Sequence, residues 1–224
     1  MIVLDGVGVS RGGRDVLADL TLTLGEKRIG VIGANGSGKS TFARLLNGLL
    51  LPTVGQVLVG GLDTARDGKA VRRKVGFVFQ NPDSQIVYPS VGEDLAFGLK
   101  GRGLSKPEIA ARIAGVLESQ GLAGSEGRLI HELSGGERQL VALAGVMVMQ
   151  PEVLVLDEPT TLLDLRNTSR IATAIAAFPG RLVMVTHDLD LLAAFDRVLV
   201  FEEGRLHTDA PPNEAIARYL ALCR

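Results

Sequence analysis

The sequence predicts an α/β fold with a mostly parallel central sheet, and three observations carry that reading. Compact apolar runs at residues 28–32, 75–79, 153–156 and 182–185 are divided by helix-length segments, the pattern of a parallel sheet covered on both faces. The first run leads directly into Gly33-Ala34-Asn35-Gly36-Ser37-Gly38-Lys39-Ser40-Thr41, which satisfies the phosphate-loop pattern G-x-x-x-x-G-K-[ST]. The run at 153–156 ends in Asp157-Glu158, two carboxylates at the carboxyl end of a strand, where such sheets bind their ligands.

Taken in order, residues 2–9 and 20–24 are short β-rich runs on either side of Arg11-Gly12-Gly13-Arg14, and they predict an antiparallel edge folded over a nucleotide site. Strand 28–32, the glycine-rich loop and a predicted helix over 41–50 then give the motif its required strand-to-helix context. Gly33, Gly36 and Gly38, with Asn35 and Ser37 between them, leave backbone N–H groups free to curl around an anion at a helix N-terminus. Lys39 suits the β- and γ-phosphates, the Ser40 hydroxyl suits magnesium, and Thr41 opens the helix. From 91 to 150 the texture changes to Ala- and Leu-rich amphipathic stretches, which predicts an inserted helical subdomain within a single domain spanning 1–224. Within it, Ser105-Lys106-Pro107-Glu108 is a capping box that opens a helix ending near Gln120. Leu133-Ser134-Gly135-Gly136-Glu137 is a second S-x-x-E box ahead of the amphipathic run 138–149, and taken alone it is an ordinary helix start. A final helix is predicted over 214–222, and no internal repeat or low-complexity segment is present.

These residues point to nucleotide hydrolysis. Asp157 suits holding magnesium through water, and Glu158 suits accepting the proton of a water that attacks the γ-phosphate. Composition narrows the partners: 24 basic residues stand against 25 acidic ones, with no long run of either sign, so no nucleic-acid-binding face is expected. The solitary Cys223 makes no internal disulfide, which fits a reducing compartment. No apolar segment approaches the roughly 20 residues needed to span a bilayer, so membrane attachment is expected to come through a partner.

The phosphate loop, Leu133 to Glu137 and Asp157-Glu158 together resemble the ATP-binding-cassette (ABC) ATPases, and the resemblance covers the whole chain. It implies their fold, with an ATP and Mg2+ site that two copies of the chain complete in a head-to-tail dimer. Leu133 to Glu137 looks like the family's LSGGQ signature, whose Ser134, Gly135 and Gly136 would close over a γ-phosphate held by the other subunit. Gln80 matches the Q-loop glutamine, which senses magnesium and the attacking water; Thr161-Leu162-Leu163-Asp164 matches the D-loop; His187 matches the switch histidine on the γ-phosphate. The signature here ends in Glu137 where Gln is usual, and the side chain is expected to turn back onto its own helix. Where the family offers an aromatic ring to adenine, this chain has Arg11, whose guanidinium plane can stack by cation–π contact.

After Gln80, Asn81-Pro82-Asp83-Ser84-Gln85-Ile86 looks like the x-P-[DE]-x-Q-apolar motif of the ATPases of energy-coupling-factor importers for vitamins and metal ions. That resemblance implies a transmembrane coupling protein and a substrate-binding membrane protein as partners, a peripheral place on the cytoplasmic face of the membrane, and a groove at Gln85, Ile86 and Val87 that receives a partner helix. Among these ATPases the chain most resembles the compact one of biotin uptake. The competing reading is an ABC ATPase that remodels nucleic acid or ribosomes; such proteins add coiled-coil insertions, a second cassette or basic stretches, and the sequence contains none of these.

Overall fold

The computed structural model describes residues 1–161 and 163–223. They form two compact units. The first comprises Met1–Phe77, Glu152–Glu158 and the chain from Gly180 onward; the second comprises Val78–Pro151 and Pro159–Pro179.

In the first unit, β1 (Ile2–Arg11) and β2 (Arg14–Leu24) form an antiparallel hairpin. Gly12 and Gly13 both have positive φ, 56° and 75°, which is the backbone of the two-residue turn that matches the twist of paired strands. β2 therefore starts about six residues earlier than the 20–24 run suggests, because the hairpin recruits Arg14 onward opposite β1. β3 (Arg28–Gly33) leads into α1 (Lys39–Leu45); β4 (Val54–Val59) and β5 (Leu62–Asp63) follow, then α2 (Gly68–Lys74) and β6 (Val75–Val78). The predicted helix to residue 50 stops at Leu45, where Gly48 turns at φ 68° and Asn47 Oδ1 accepts the Leu49 N–H at 3.0 Å.

The second unit is helical: α3 (Val91–Gly98), α4 (Lys106–Ser119) and α5 (Gly135–Met147) precede β7 (Val153–Asp157) in the chain, and α6 (Leu165–Ala177) follows it. The chain returns to the first unit for β8 (Arg181–Val185), β9 (Arg197–Glu202), β10 (Arg205–Ala210) and α7 (Pro212–Leu222). The Ser105 box forms as expected, with Glu108 Oε2 accepting the Ser105 N–H at 2.7 Å and Ser105 Oγ accepting the Glu108 N–H at 3.5 Å.

Two sheets result, in orders β2-β1-β4-β5 and β10-β9-β3-β8-β7-β6. The first is antiparallel. In the second, β9, β3, β8 and β7 are parallel neighbours, and β10 pairs antiparallel to β9. The expected α/β class with a parallel core and an N-terminal antiparallel sheet is thus present. Every residue of β7 is buried and all but the first of β3 and β8, which is why these strands read as unbroken apolar runs instead of alternating ones. Phe42 of α1 packs on Phe201 of β9 at 4.9 Å between ring centroids. No helix of the described residues is long and apolar enough to cross a membrane.

Gly30 marks a close side-chain approach to β3, since a Cβ there would lie 2.6 Å from Leu192 Cδ2 and 3.2 Å from Val198 Cγ2. Gly30→Val should lower stability by about 2 kcal/mol through overpacking even though valine favours strands. Thermal unfolding checks this, with a drop of roughly 5 °C expected for a chain of this size; an unchanged midpoint would mean that Leu192 does not rest on β3.

Candidate active site

β3 delivers the phosphate loop. Gly33 (φ 148°), Gly36 (φ 78°) and Gly38 (φ 98°) hold backbone conformations that L side chains rarely adopt. A Cβ at Gly33 would collide with the backbone oxygen of Phe201 and sit 2.8 Å from Ser37 Oγ, so the loop must begin with glycine on steric grounds as well. Asn35 and Gly36 are exposed, whereas Ser37 is buried and its hydroxyl has no hydrogen-bond partner. An orphaned buried hydroxyl within a cradle of glycines suits a bound phosphate. Lys39, also buried, folds its ammonium back to donate to Gly33 O at 2.8 Å and Ala34 O at 2.9 Å. Burial lowers its pKa, and the nearby Glu158 and Asp157 charges oppose that shift. Thr41 is half-buried in α1.

Asp157 ends β7 and is buried, and its Oδ1 accepts from Ser40 Oγ at 2.8 Å. Burial raises its pKa; the Ser40 hydrogen bond and Arg44, whose Nη2 lies 3.7 Å from Oδ2, pull the other way. A hydroxyl beside a carboxylate is the hard oxygen pair that Mg2+ uses when most of its shell is water. Among the described residues no group of three or more His, Cys, Asp or Glu side chains converges as a metal cage. Next in the chain, Glu158 sits at φ 52°, with its N–H donating to Val185 O at 2.9 Å and its Oε1 2.9 Å from His187 Nε2. A non-glycine residue at positive φ costs on the order of 1 kcal/mol or more, so this turn is held by its surroundings. Lys39, Ser40, Asp157, Glu158 and His187 are therefore brought together within the first unit. Arg11, at the end of β1 in the same unit, is exposed.

The remaining predicted residues lie in the second unit. Gln80 is exposed. Ser134 caps α5: its Oγ accepts the Glu137 N–H at 3.2 Å, and Glu137 Oε2 accepts the Ser134 N–H at 2.9 Å, so Glu137 turns back onto its helix. Gly135 is exposed; Gly136 is buried against the Asn167 side chain, which leaves no room for a Cβ. Asp164 caps α6 by accepting the Asn167 N–H at 2.8 Å and the Asn167 amide at 3.1 Å. Leu162 of the predicted D-loop lies outside the described residues.

One expectation needs adjusting. Gln85 does not offer its side chain to solvent: Nε2 donates to Ala142 O at 2.6 Å and Oε1 accepts the Phe79 N–H at 3.2 Å, pinning the segment to α5. The exposed surface there is Val87, 72% accessible, with Phe97 and Tyr88 beside each other, their rings tilted by 43° with centroids 5.2 Å apart. Sequence reasoning passed over Arg44, Asn167 and Arg128, the last donating to Glu137 Oε1 at 2.6 Å. Arg44 stands one helical turn beyond Ser40 and could have been found by that spacing; the other two had no comparable signal.

The glycine cradle with Lys39, the Ser40–Asp157 pair and the Glu158–His187 pair define an ATP-binding and ATP-hydrolysing cassette. The chain belongs to the ABC transporter family, whose family model matches residues 17–161. It is 62% identical to a putative ABC transporter ATP-binding protein of Deinococcus radiodurans over 98% of this chain and 97% of that one. It is 56% identical to the biotin transport ATP-binding protein BioM of Rhizobium etli, over 97% of each. Among solved structures it resembles CbiO1 of Clostridium perfringens, described as part of the ABC transporter complex CbiONQ, with a TM-score of 0.85, 31% identity and coverage of 99% of this chain and 93% of that one.

Gly33→Ala should weaken ATP binding at least about tenfold, because the added methyl pushes the loop off Phe201 and disorders its N–H groups. Isothermal titration with ATP is the measurement, and wild-type affinity would show that the loop binds ATP without this close approach.

Proposed function

We propose that this chain is the ATPase subunit of an energy-coupling-factor importer with biotin as its cargo, working as a homodimer on the cytoplasmic face of the membrane. The observation that carries the importer reading is the segment Asn81 to Ile86, folded as a short 3₁₀ turn over Pro82–Ser84 and capped by Asn81 Oδ1 on the Asp83 N–H at 2.9 Å. The biotin reading is supported by similarity along nearly the full length to a protein named for biotin transport.

In this reading the N–H groups of Asn35 to Ser40 cradle the β- and γ-phosphates, and Lys39 gives up its two carbonyl partners for phosphate oxygens. Ser40 and Asp157 hold Mg2+, which supplies charge neutralisation on the phosphates. Arg11 stacks on adenine. Glu158 takes the proton of the attacking water as the water oxygen bonds to the γ-phosphorus and the bond to the ADP oxygen breaks. His187, already 2.9 Å from Glu158, fixes that carboxylate and reaches the γ-phosphate, and Gln80 orients water and metal. Each chain carries one phosphate loop and one signature segment, so two chains arranged head to tail complete two sites, Ser134, Gly135 and Gly136 of one meeting the γ-phosphate on the other, with Asp164 at the dimer interface. The patch of Val87, Tyr88 and Phe97 takes an amphipathic helix of the transmembrane coupling protein, and a second membrane protein binds the cargo.

Glu158→Gln should keep ATP affinity and lose hydrolysis by about 100-fold or more, because the amide keeps the shape and removes the base. Single-turnover hydrolysis checks this; a near-normal rate would place the base elsewhere. The paired change Ile86→Asp with Val87→Asp should abolish co-purification with the membrane partners and uptake of labelled biotin, while ATP affinity stays within about threefold. Intact co-purification would rule out the docking surface, and a complex that imports a different cargo would replace biotin alone.

A further inference from the structure

Glu137 places a carboxylate three residues after Ser134, in the segment that the reading above brings to a γ-phosphate. Unbalanced, it would repel the phosphate and consume the positive end of the α5 dipole. The carboxylate is ionised, since the Arg128 guanidinium and then the Ser134 N–H hold its pKa down at about 2. Its charge must therefore be balanced, and Arg128 does this from outside the helix, Nη1 donating to Oε1 at 2.6 Å. Arg128 is itself held by the backbone: its N–H donates to Ser125 O at 3.0 Å and its carbonyl accepts the Val91 N–H at 3.1 Å, while Glu126 O accepts from Gly92 at 2.8 Å and Leu129 bridges to Ser90. With Oε1 on Arg128 and Oε2 on the Ser134 N–H, the carboxylate spends both oxygens inside the unit. Ser134 Oγ accepts from the Glu137 N–H and so keeps its own proton to donate outward.

We infer that Arg128 is a positioning residue for ATP hydrolysis: it neutralises Glu137 and keeps it folded onto Ser134, so that the Ser134 hydroxyl and the Gly135 and Gly136 N–H groups meet the γ-phosphate without an opposing charge. The inference rests on the composite-site reading. Its content is charge compensation, so the need for Arg128 disappears when residue 137 is neutral.

The test compares Arg128→Ala in the Glu137 chain and in the Glu137→Gln chain, using steady-state hydrolysis of ATP-Mg2+ by the purified protein, with ADP affinity and melting temperature recorded alongside. Arg128→Ala should lower kcat at least about tenfold in the Glu137 chain and no more than about twofold in the Glu137→Gln chain, the deficit narrowing as salt is raised. ADP, which lacks the γ-phosphate, should bind all four proteins within about twofold of one another. Arg128→Lys, which keeps the charge, should recover activity to within about threefold of the parent chain. If Arg128→Ala melts below the assay temperature, Arg128→Gln in the same two chains gives the comparison. Equal losses in both chains would reduce Arg128 to a structural support and overturn the inference, as would an unimpaired Arg128→Ala. Ser134→Arg separates the two levels: full hydrolysis there would remove the composite-site reading and this inference with it, whereas a dead Ser134→Arg beside equal Arg128 losses removes the inference alone.

Discussion

The register of the parallel strands is the constraint on which the site depends. Val31 of β3 pairs with Val185 of β8, and Val185 pairs with Asp157 of β7, so β7 and β8 end in one row and β3 runs only two residues beyond it. The chain leaves that row as the phosphate loop after β3, as Glu158 after β7 and as His187 after β8. A slip by one residue along β7 would turn Asp157 to the opposite face and carry it away from Ser40. Because these strands are buried on both faces, hydrophobic burial enforces the row, and the polar groups at its end are placed by a core to which they contribute nothing.

Burial at that row also sets the electrostatics. Lys39 and Asp157 each lose hydration, which disfavours the charged form of both; the Glu158 and Asp157 charges recover Lys39 in part, and Ser40, Arg44 and Lys39 recover Asp157 in part, while the Glu158 charge works against it. Glu158 follows Asp157 without a residue between them, and its positive φ swings it away from the strand direction toward His187. Two adjacent carboxylates thus acquire different surroundings, one buried against a hydroxyl and one paired with an imidazole. Divergent surroundings are what let neighbouring acids take different tasks.

The parts legible in the sequence were those whose chemistry needs contiguous residues. Gly33 to Thr41 and Asp157-Glu158 are single runs, and the capping boxes at Ser105 and Ser134 are complete within four positions. The strands of the buried sheet were legible because burial on both faces leaves them uninterrupted. Pairing at long range was not: β4 joins β1, and β9 joins β3 across most of the chain, with nothing in Val54–Val59 or Arg197–Glu202 that announces the partner. The inward turn of Gln85 depends on the Ala142 carbonyl, and the Gly136 contact depends on Asn167, both supplied by helices far along the sequence. The overextended α1 was a matter of local chemistry, since Asn47 and Gly48 are helix-ending residues whose effect the following leucines masked.

Most polar groups of the proposed site find a partner within their own unit. Lys39 rests on Gly33 and Ala34, Ser40 on Asp157, Glu158 on His187, Ser134 on Glu137 and Asp164 on Asn167. Such pairings avoid the cost of buried unpaired groups, which reaches roughly 1–3 kcal/mol each. They also make ligand binding an exchange of hydrogen bonds, with little net gain from any one of them. The exceptions then carry more weight: Ser37 Oγ has no partner to give up, and Asn35 and Gly36 lie exposed beside it in the loop. Affinity for a polyanion is accordingly expected to concentrate in the loop, while the groups proposed to move during turnover, Lys39 and His187 among them, would trade one partner for another at small cost.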